Sequence, residues 1–252
     1  MMFNFKKYAL LAFAAMLTLS AFAAEPPTAQ ELLDRARNSK RVSTYAKLHG
    51  ILQHRRRGEE PQEIPIYFGV VIEPHETNAV IWLKNRNEIY TIRQTSAGRD
   101  GTSVESYPQN AGTLNHVGLR VSDLAMSFLH YKLVEELDGT TLSAVVSCRV
   151  LLLESPDDQP GGKEFVKVYL EKDHAFPLKA EFFKNRNDKT PFRLMEANGF
   201  TKKNDLYYAK TILVEAPGLR TKVEFDPRLA EIGMYDKQVV KFRDVMKIKK
   251  GK

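Results

Sequence analysis

Five apolar residues at a strict spacing of two, Ile64, Ile66, Phe68, Val70 and Ile72, constrain this chain more than any other stretch. Successive side chains of a strand point to opposite faces, so the run predicts a strand with one apolar side. Looser runs of the same kind fall at 42–54, 79–83, 88–94 and 117–121, and again at 142–153, before Leu170, before Phe183, and at 192–196, 207–215, 221–225 and 238–242. Ten or eleven strands follow from this pattern, joined by short turns. Nothing alternates strand with helix in the way that builds a parallel sheet. The expected fold is mainly β (α+β): a large curved antiparallel sheet forming an unclosed barrel, covered by two or three short helices.

Two stretches read as those helices. Thr28 is placed to cap 29–37, with Glu31 near the start and arginines near the end, as the helix dipole favours. Its apolar stripe is Ala29, Leu32, Leu33 and Ala36. In 122–131, Ser122 or Asp123 is suited to the opening cap, and Leu124, Phe128 and Leu129 share one face. Asp138-Gly139 then predicts a tight hairpin turn, which needs positive φ at both central residues. The Gly-, Ser-, Asp- and Asn-rich segment 96–115 reads as a long loop with at most a short strand about Val104.

Residues 1–23 read as an export leader. Lys6 and Lys7 precede an apolar run over 8–19 and the small-x-small triplet Ala21-Phe22-Ala23, so cleavage is expected near Ala23. The run is too short and too early to span a membrane, and no cysteine follows the cut to take a lipid. Residues 24–252 are expected to form a single domain without a transmembrane segment. Its formal charge, +7 for the whole chain, becomes +5 once the two leader lysines are removed. The basic tail residues Lys247, Lys249, Lys250 and Lys252 read as a solvated terminus.

The sequence carries no recognisable catalytic pattern. Cys148, the single cysteine, lies among valines and leucines and reads as an inert core thiol. His49, His54, His75, His116, His130 and His174 form no His-x-x-x-His or His-Glu-x-x-His arrangement, so neither a metal nor any other cofactor is expected. Gly161-Gly162-Lys163-Glu164 lacks the Ser or Thr and the spacing of a phosphate loop. No Gly-x-Ser-x-Gly elbow occurs, and Asp157-Asp158 sits in a turn-rich stretch. The run from His54 to Glu60 reads as a solvated hairpin loop. Its arginines lack interleaved aromatic residues, and nucleic acid is not an expected partner.

Several stretches together resemble a known family. They are the helix at 122–131, the run Ser147-Cys148-Arg149-Val150-Leu151-Leu152-Leu153-Glu154-Ser155-Pro156 and the paired strand Val166-Lys167-Val168-Tyr169-Leu170. Phe176-Pro177-Leu178-Lys179-Ala180-Glu181-Phe182-Phe183-Lys184 and Gly218-Leu219-Arg220-Thr221-Lys222-Val223 complete the set. The chain is thereby similar to the outer-membrane lipoprotein-sorting proteins, the LolA-like periplasmic carriers of Gram-negative bacteria. The resemblance implies a helix-covered half-barrel in the periplasm that holds acyl chains of a lipoprotein or phospholipid without performing chemistry. It implies a monomer that hands its cargo to an inner- or outer-membrane transport partner. An envelope sensor or protein-interaction module on the same fold is the alternative, and a structural protein with a filled core is a third reading. The family's lid-holding arginine corresponds to Arg41, Arg55 or Arg57. Candidates for the apolar groove are Ile66, Phe68, Val70, Trp82 and Ile89 on strands, with Leu124, Phe128 and Leu129 on the helix.

Overall fold

A computed structural model describes residues 26–37, 43–95, 102–124, 126–142, 146–157 and 162–246. Thirteen strands among these residues make one antiparallel sheet. They are β1 (Thr44–Arg56), β2 (Gln62–Ile72), β3 (Glu76–Leu83), β4 (Glu88–Thr95), β5 (Thr102–Tyr107), β6 (Lys132–Leu142) and β7 (Val146–Glu154). The second half of the chain adds β8 (Phe165–Glu171), β9 (Pro177–Phe183), β10 (Arg193–Lys203), β11 (Leu206–Ala216), β12 (Leu219–Phe225) and β13 (Glu231–Met234). Their order is β5-β4-β3-β2-β1-β12-β11-β10-β9-β8-β7-β6, with β13 paired beside β12 on β1. Two meanders therefore meet along the β1–β12 seam, and β5 and β6 remain as edges. The sheet is curved but not closed.

Among the described residues four short α-helices accompany it: α1 (Ala29–Arg37), α2 (Thr113–His116), α3 (Val121–Leu124) and α4 (Phe242–Met246). The start of α1 is a reciprocal cap. The Thr28 backbone N–H donates to Glu31 Oε2 at 2.7 Å, and the Glu31 N–H donates to Thr28 Oγ1 at 3.2 Å. Leu32, Leu33 and Ala36 are then buried against the sheet. Each of the two fully buried leucines contributes about 1.5–3 kcal/mol relative to exposure.

Register assigns the faces. Ile64, Ile66, Phe68 and Val70 share the inner face with Leu48 and Leu52 of β1, Ala79, Ile81 and Leu83 of β3, and Tyr90 and Ile92 of β4. Helices α1 to α3 cover this face. Tyr67, Gly69 and Val71 alternate onto the outer face, where α4 docks and the Tyr67 hydroxyl donates to the Val245 carbonyl at 2.5 Å.

Three local expectations are corrected. The stretch 122–131 is not one helix: α3 stops at Leu124, Met126 takes φ 53°, and a separate 3-10 turn spans Ser127–His130. A left-handed residue cannot continue a right-handed helix. Asp138-Gly139 is not the hairpin turn either, because it lies within β6 at a register shift, two residues facing one on β7. Among the described residues the strand count is thirteen rather than ten or eleven, with 117–121 and 238–242 in turns and helix rather than strands, while β5 is the short strand expected about Val104. The leader, Arg41, the 96–101 part of that loop and the basic tail lie outside the described residues.

Candidate functional site

The inner face and its helical cover define the site. Leu32 and Leu33 of α1, Leu114 of α2, Val117, Leu119, Phe128 and Leu129 all join the strand residues in one continuous apolar cluster. Phe128 meets Phe182 of β9 edge to face, with centroids 5.7 Å apart. Helical cover and sheet are thus packed together over this part of the face.

Buried charges bind the same cover to the sheet. Arg193 of β10 makes a two-pronged ion pair with Asp123 of α3, one prong at 2.9 Å, and its guanidinium lies 3.9 Å from the Phe182 ring centre. The two side chains are about one-twentieth exposed or less. Beside them Glu164 accepts from Arg120 at 3.2 Å and from the Tyr131 hydroxyl at 3.1 Å, and the Glu164 N–H donates to Ser155 Oγ at 2.8 Å. Burial, then the Glu164 charge, pushes the Tyr131 phenol above its ordinary range, so it stays a donor. Arg37, the last residue of α1, donates to the carbonyls of Leu129 (2.7 Å) and Tyr131 (2.9 Å). At its other end α1 is tied to β7, where Arg149 donates to the Pro27 carbonyl while pairing with Glu136.

This latch occupies one end of the half-barrel. At the opposite end, where β2 finishes and β11 begins, the inner face is only half-buried: Ala46, Phe68, Val70, Leu206, Tyr208 and Ile212 pack against the cluster without being enclosed by it. On the outer face of the same end, by register, lies a cleft of about 570 Å³ whose walls include the charged Glu171, Lys179 and Glu196 as well as Leu142, Val146, Phe200 and Tyr207. Phe176 stacks on Phe200 and tilts against Tyr207, with centroids 6.3 and 6.4 Å apart. Phe200 is 40 % and Tyr207 55 % exposed. A second cleft of about 910 Å³ lies on the outer side beside α4. Its walls combine Tyr235 and Phe242 with charged groups, Lys237 pairing with Glu73 at 2.8 Å and Glu76 with Arg93 at 3.1 Å.

The sequence candidates divide into three groups. Ile66, Phe128 and Leu129 are 2 %, 4 % and 4 % exposed and lie in the core cluster. Phe68, Val70 and Leu124 are partly exposed at its margin. Grouping Trp82 and Ile89 with them is corrected by register: Trp82 stands opposite Tyr67 and Ile89 opposite Trp82, which puts both on the outer face. Alternation identifies a strand's two faces but does not say which one a neighbouring strand shares. Arg55 and Arg57 are exposed. Arg37, Arg149 and Arg193 are among the arginines that tie the helical cover down.

Sequence reasoning missed the charged latch, because Asp123 and Arg193 are 70 residues apart. It also missed the wall residues Leu178, Ala197 and Phe200. His54, assigned to a solvated loop, is 1 % exposed on the inner face of β1; β1 simply runs two residues further before turning at Gly58. Cys148 is buried on β7, and burial raises its thiol pKa.

No protein-family model matches the sequence, and no curated protein matches it significantly. Solved structures do. The chain is similar to a DUF1329 family protein from Desulfovibrio piger, with TM-score 0.59 and 10 % identity over 86 % of this chain and 98 % of that one. It is similar to a domain assigned to outer membrane lipoprotein sorting from Vibrio parahaemolyticus, with TM-score 0.58 and 15 % identity over 86 % and 97 %. A LolA superfamily protein from Nitrosomonas europaea gives TM-score 0.53 and 13 % identity over 83 % and 94 %. At these identities the likeness is one of architecture, and each neighbour is matched over nearly its whole length. The chain has the unclosed, helix-covered antiparallel half-barrel fold of LolA-superfamily and lipoprotein-sorting structures.

Proposed function

We propose that this protein is a periplasmic carrier that holds acyl chains of a lipoprotein or phospholipid and performs no chemistry on them. The supporting observation is the asymmetry of the inner face. One end is packed and latched by buried charge, and at the other the apolar residues of the inner face, Phe68, Val70, Leu206, Tyr208 and Ile212, are left only half-buried. In this reading the leader over 1–23 directs export, residues 24–252 act as one monomeric domain, and cargo passes to a membrane-bound transport partner.

Energetics suit a transferring rather than a sequestering role. Each methylene removed from water contributes about 0.8 kcal/mol, and one myristoyl chain holds to a membrane with a constant of only about 10⁴ M⁻¹. A short apolar mouth can therefore compete with a bilayer for one chain and yield it to a deeper site. The Tyr208 hydroxyl, buried at this end without a hydrogen-bond partner among the described residues, is available to donate to the carbonyl of an acyl ester.

The test is native mass spectrometry of protein isolated from a bacterial periplasm without detergent, with extraction and identification of whatever is released. Lipid or lipopeptide adducts that disappear in Phe68→Asp and Ala197→Asp, while Trp82→Gln keeps them, are the expected result. A bare mass that stays bare after incubation with phospholipid vesicles overturns the carrier reading and favours the protein-interaction module.

A further inference from the structure

At the latched end, the inner face of β1 finishes on a histidine with an unusual set of neighbours. His54 is 1 % exposed, and its Nδ1 lies 2.8 Å from Thr221 Oγ1 of β12. The Thr221 hydroxyl gives its own proton to the Val117 carbonyl, so towards His54 it can only accept. Nδ1 therefore carries the imidazole proton, and Nε2 presents a lone pair. That lone pair is buried and has no hydrogen-bond partner among the described residues. A buried acceptor left unused is destabilising, which calls for an explanation.

Two further donor groups come to the same place. The nitrogens of His54 and His116 and a carboxylate oxygen of Glu59 all lie within 4.8 Å of one another, and no other such set of three occurs among the described residues. His116 Nε2 is 3.5 Å from Glu59 Oε2. The His54 and His116 rings have centroids 5.8 Å apart.

We propose that His54, Glu59 and His116 form a binding site for a divalent transition-metal ion of the Zn²⁺ type. Two imidazoles and a carboxylate are the donors such an ion takes, at about 2.0–2.2 Å, which sets donor separations of roughly 3.2–3.6 Å in a tetrahedron. The His116–Glu59 pair is already at that spacing. The side chains of His116 and Glu59 are 45 % and 37 % exposed, free to close on a fixed His54. Thr221 then serves as the outer partner that fixes ligand tautomer and ring orientation. Burial, reinforced by His116 and Arg56, lowers the pKa of His54 and keeps it neutral, as a ligand must be. Arg56 is the opposing charge: its Nη1 sits 3.6 Å from Glu59, and its other terminal nitrogen donates to the His116 carbonyl at 2.6 Å. The ion displaces only the longer of these contacts.

The three ligands belong to three segments: the end of β1, the β1–β2 turn and the last residue of α2. A bound ion joins the hairpin tip to the helical cover, and with three protein donors it keeps a fourth position for water or an incoming group. The spacing of these residues in the chain hides the site, because 54 and 116 meet only through the fold.

The untagged full chain, stripped with a chelator, would be titrated with Co²⁺ followed by absorption and with Zn²⁺ by calorimetry. One ion per chain is expected, with the intense visible bands of four-coordinate Co²⁺ lost on adding Zn²⁺. His116→Ala and Glu59→Gln alter exposed side chains and leave the core intact. Each should weaken binding at least tenfold, and together they should abolish it. Thr221→Val should weaken it by about 10–100-fold through the positioning of His54. Absence of uptake by the wild-type chain, or uptake undiminished in the His116→Ala/Glu59→Gln double variant, overturns the proposal even where variants at His54 or Thr221 fail to fold.

Discussion

Asp123 and Arg193, 70 residues apart in the chain, meet as a buried two-pronged ion pair that joins α3 to β10. Neither side chain has water to fall back on, so removing one partner strands the other. Asp123→Ala should cost about 3–5 kcal/mol in urea unfolding. Replacing both by apolar residues, as in Asp123→Leu/Arg193→Met, should recover much of that loss. Additive costs in the double variant would show that the two residues act independently.

Arg37 ties the end of α1 to the turn that carries Phe128 and Leu129 through two carbonyl acceptors. Hydrogen bonds involving a charged donor contribute about 1.5–3 kcal/mol each. Arg37→Ala should accelerate amide exchange over residues 127–131 far more than over β7 and β8. Equal acceleration in both regions would mean that the arginine supports the whole sheet rather than its cover.

Acid should loosen the latched end first. His54 has a folded pKa below its ordinary value of 6.5, chiefly through burial and then through His116 and Arg56, with Glu59 opposing. The unfolded chain therefore takes up this proton first as pH falls. The contribution is fully present above about pH 6.5 and drains away below it, down to the folded pKa. In metal-free buffer, the stability of His54→Gln should fall less steeply over that window than wild type. Parallel slopes would assign the acid sensitivity elsewhere, with His49, also lowered by burial, the next to change.

Cys148 should behave as a core residue. Its thiol is 4 % exposed, and burial raises its pKa, so little thiolate forms near neutrality. A thiol reagent should label the native chain negligibly and the urea-unfolded chain stoichiometrically. Rapid native labelling would place β7 at a fraying edge of the sheet.

Gly69 gives a probe of the outer face alone. A Cβ added there would sit 2.5 Å from the Val245 carbonyl oxygen and 2.9 Å from the Tyr67 hydroxyl. Overpacking of this kind costs about 1–3 kcal/mol. Gly69→Ala should release α4 and expose the Tyr67 phenol, otherwise pushed up to about 12 by burial, while any lipid binding on the inner face is unchanged. A matching fall in lipid binding would couple the two faces.

Legibility in the sequence followed the range of the forces involved. The alternation from Ile64 to Ile72 revealed β2 because a strand's period is written in consecutive residues, and the Thr28–Glu31 cap was equally local. Asp138-Gly139 was misread because a bulge and a turn favour the same residues, and only the partner strand distinguishes them. Trp82 and Ile89 were sent to the wrong face because cross-strand register is a relation between segments. Asp123 with Arg193, and His54 with His116, left no local mark at all. The interior was legible as apolar; its charged end and its open end were not, since both depend on which distant residues the sheet brings together.

The seam between β1 and β12 has a consequence for how the chain reaches its native state. Gly50 pairs with Phe225 and Arg56 with Leu219, whereas every other neighbour along the sheet order is also adjacent in the chain apart from the short β13 pairing. Each meander can assemble from nearby residues, but joining them requires closing a loop of well over a hundred residues, a slow step of high contact order. A chain emerging amino end first must hold β1 with one edge unsatisfied until nearly all of it is free. During that interval the exposed edge is the place where a chaperone, or another copy of the same chain, would find a strand to pair with.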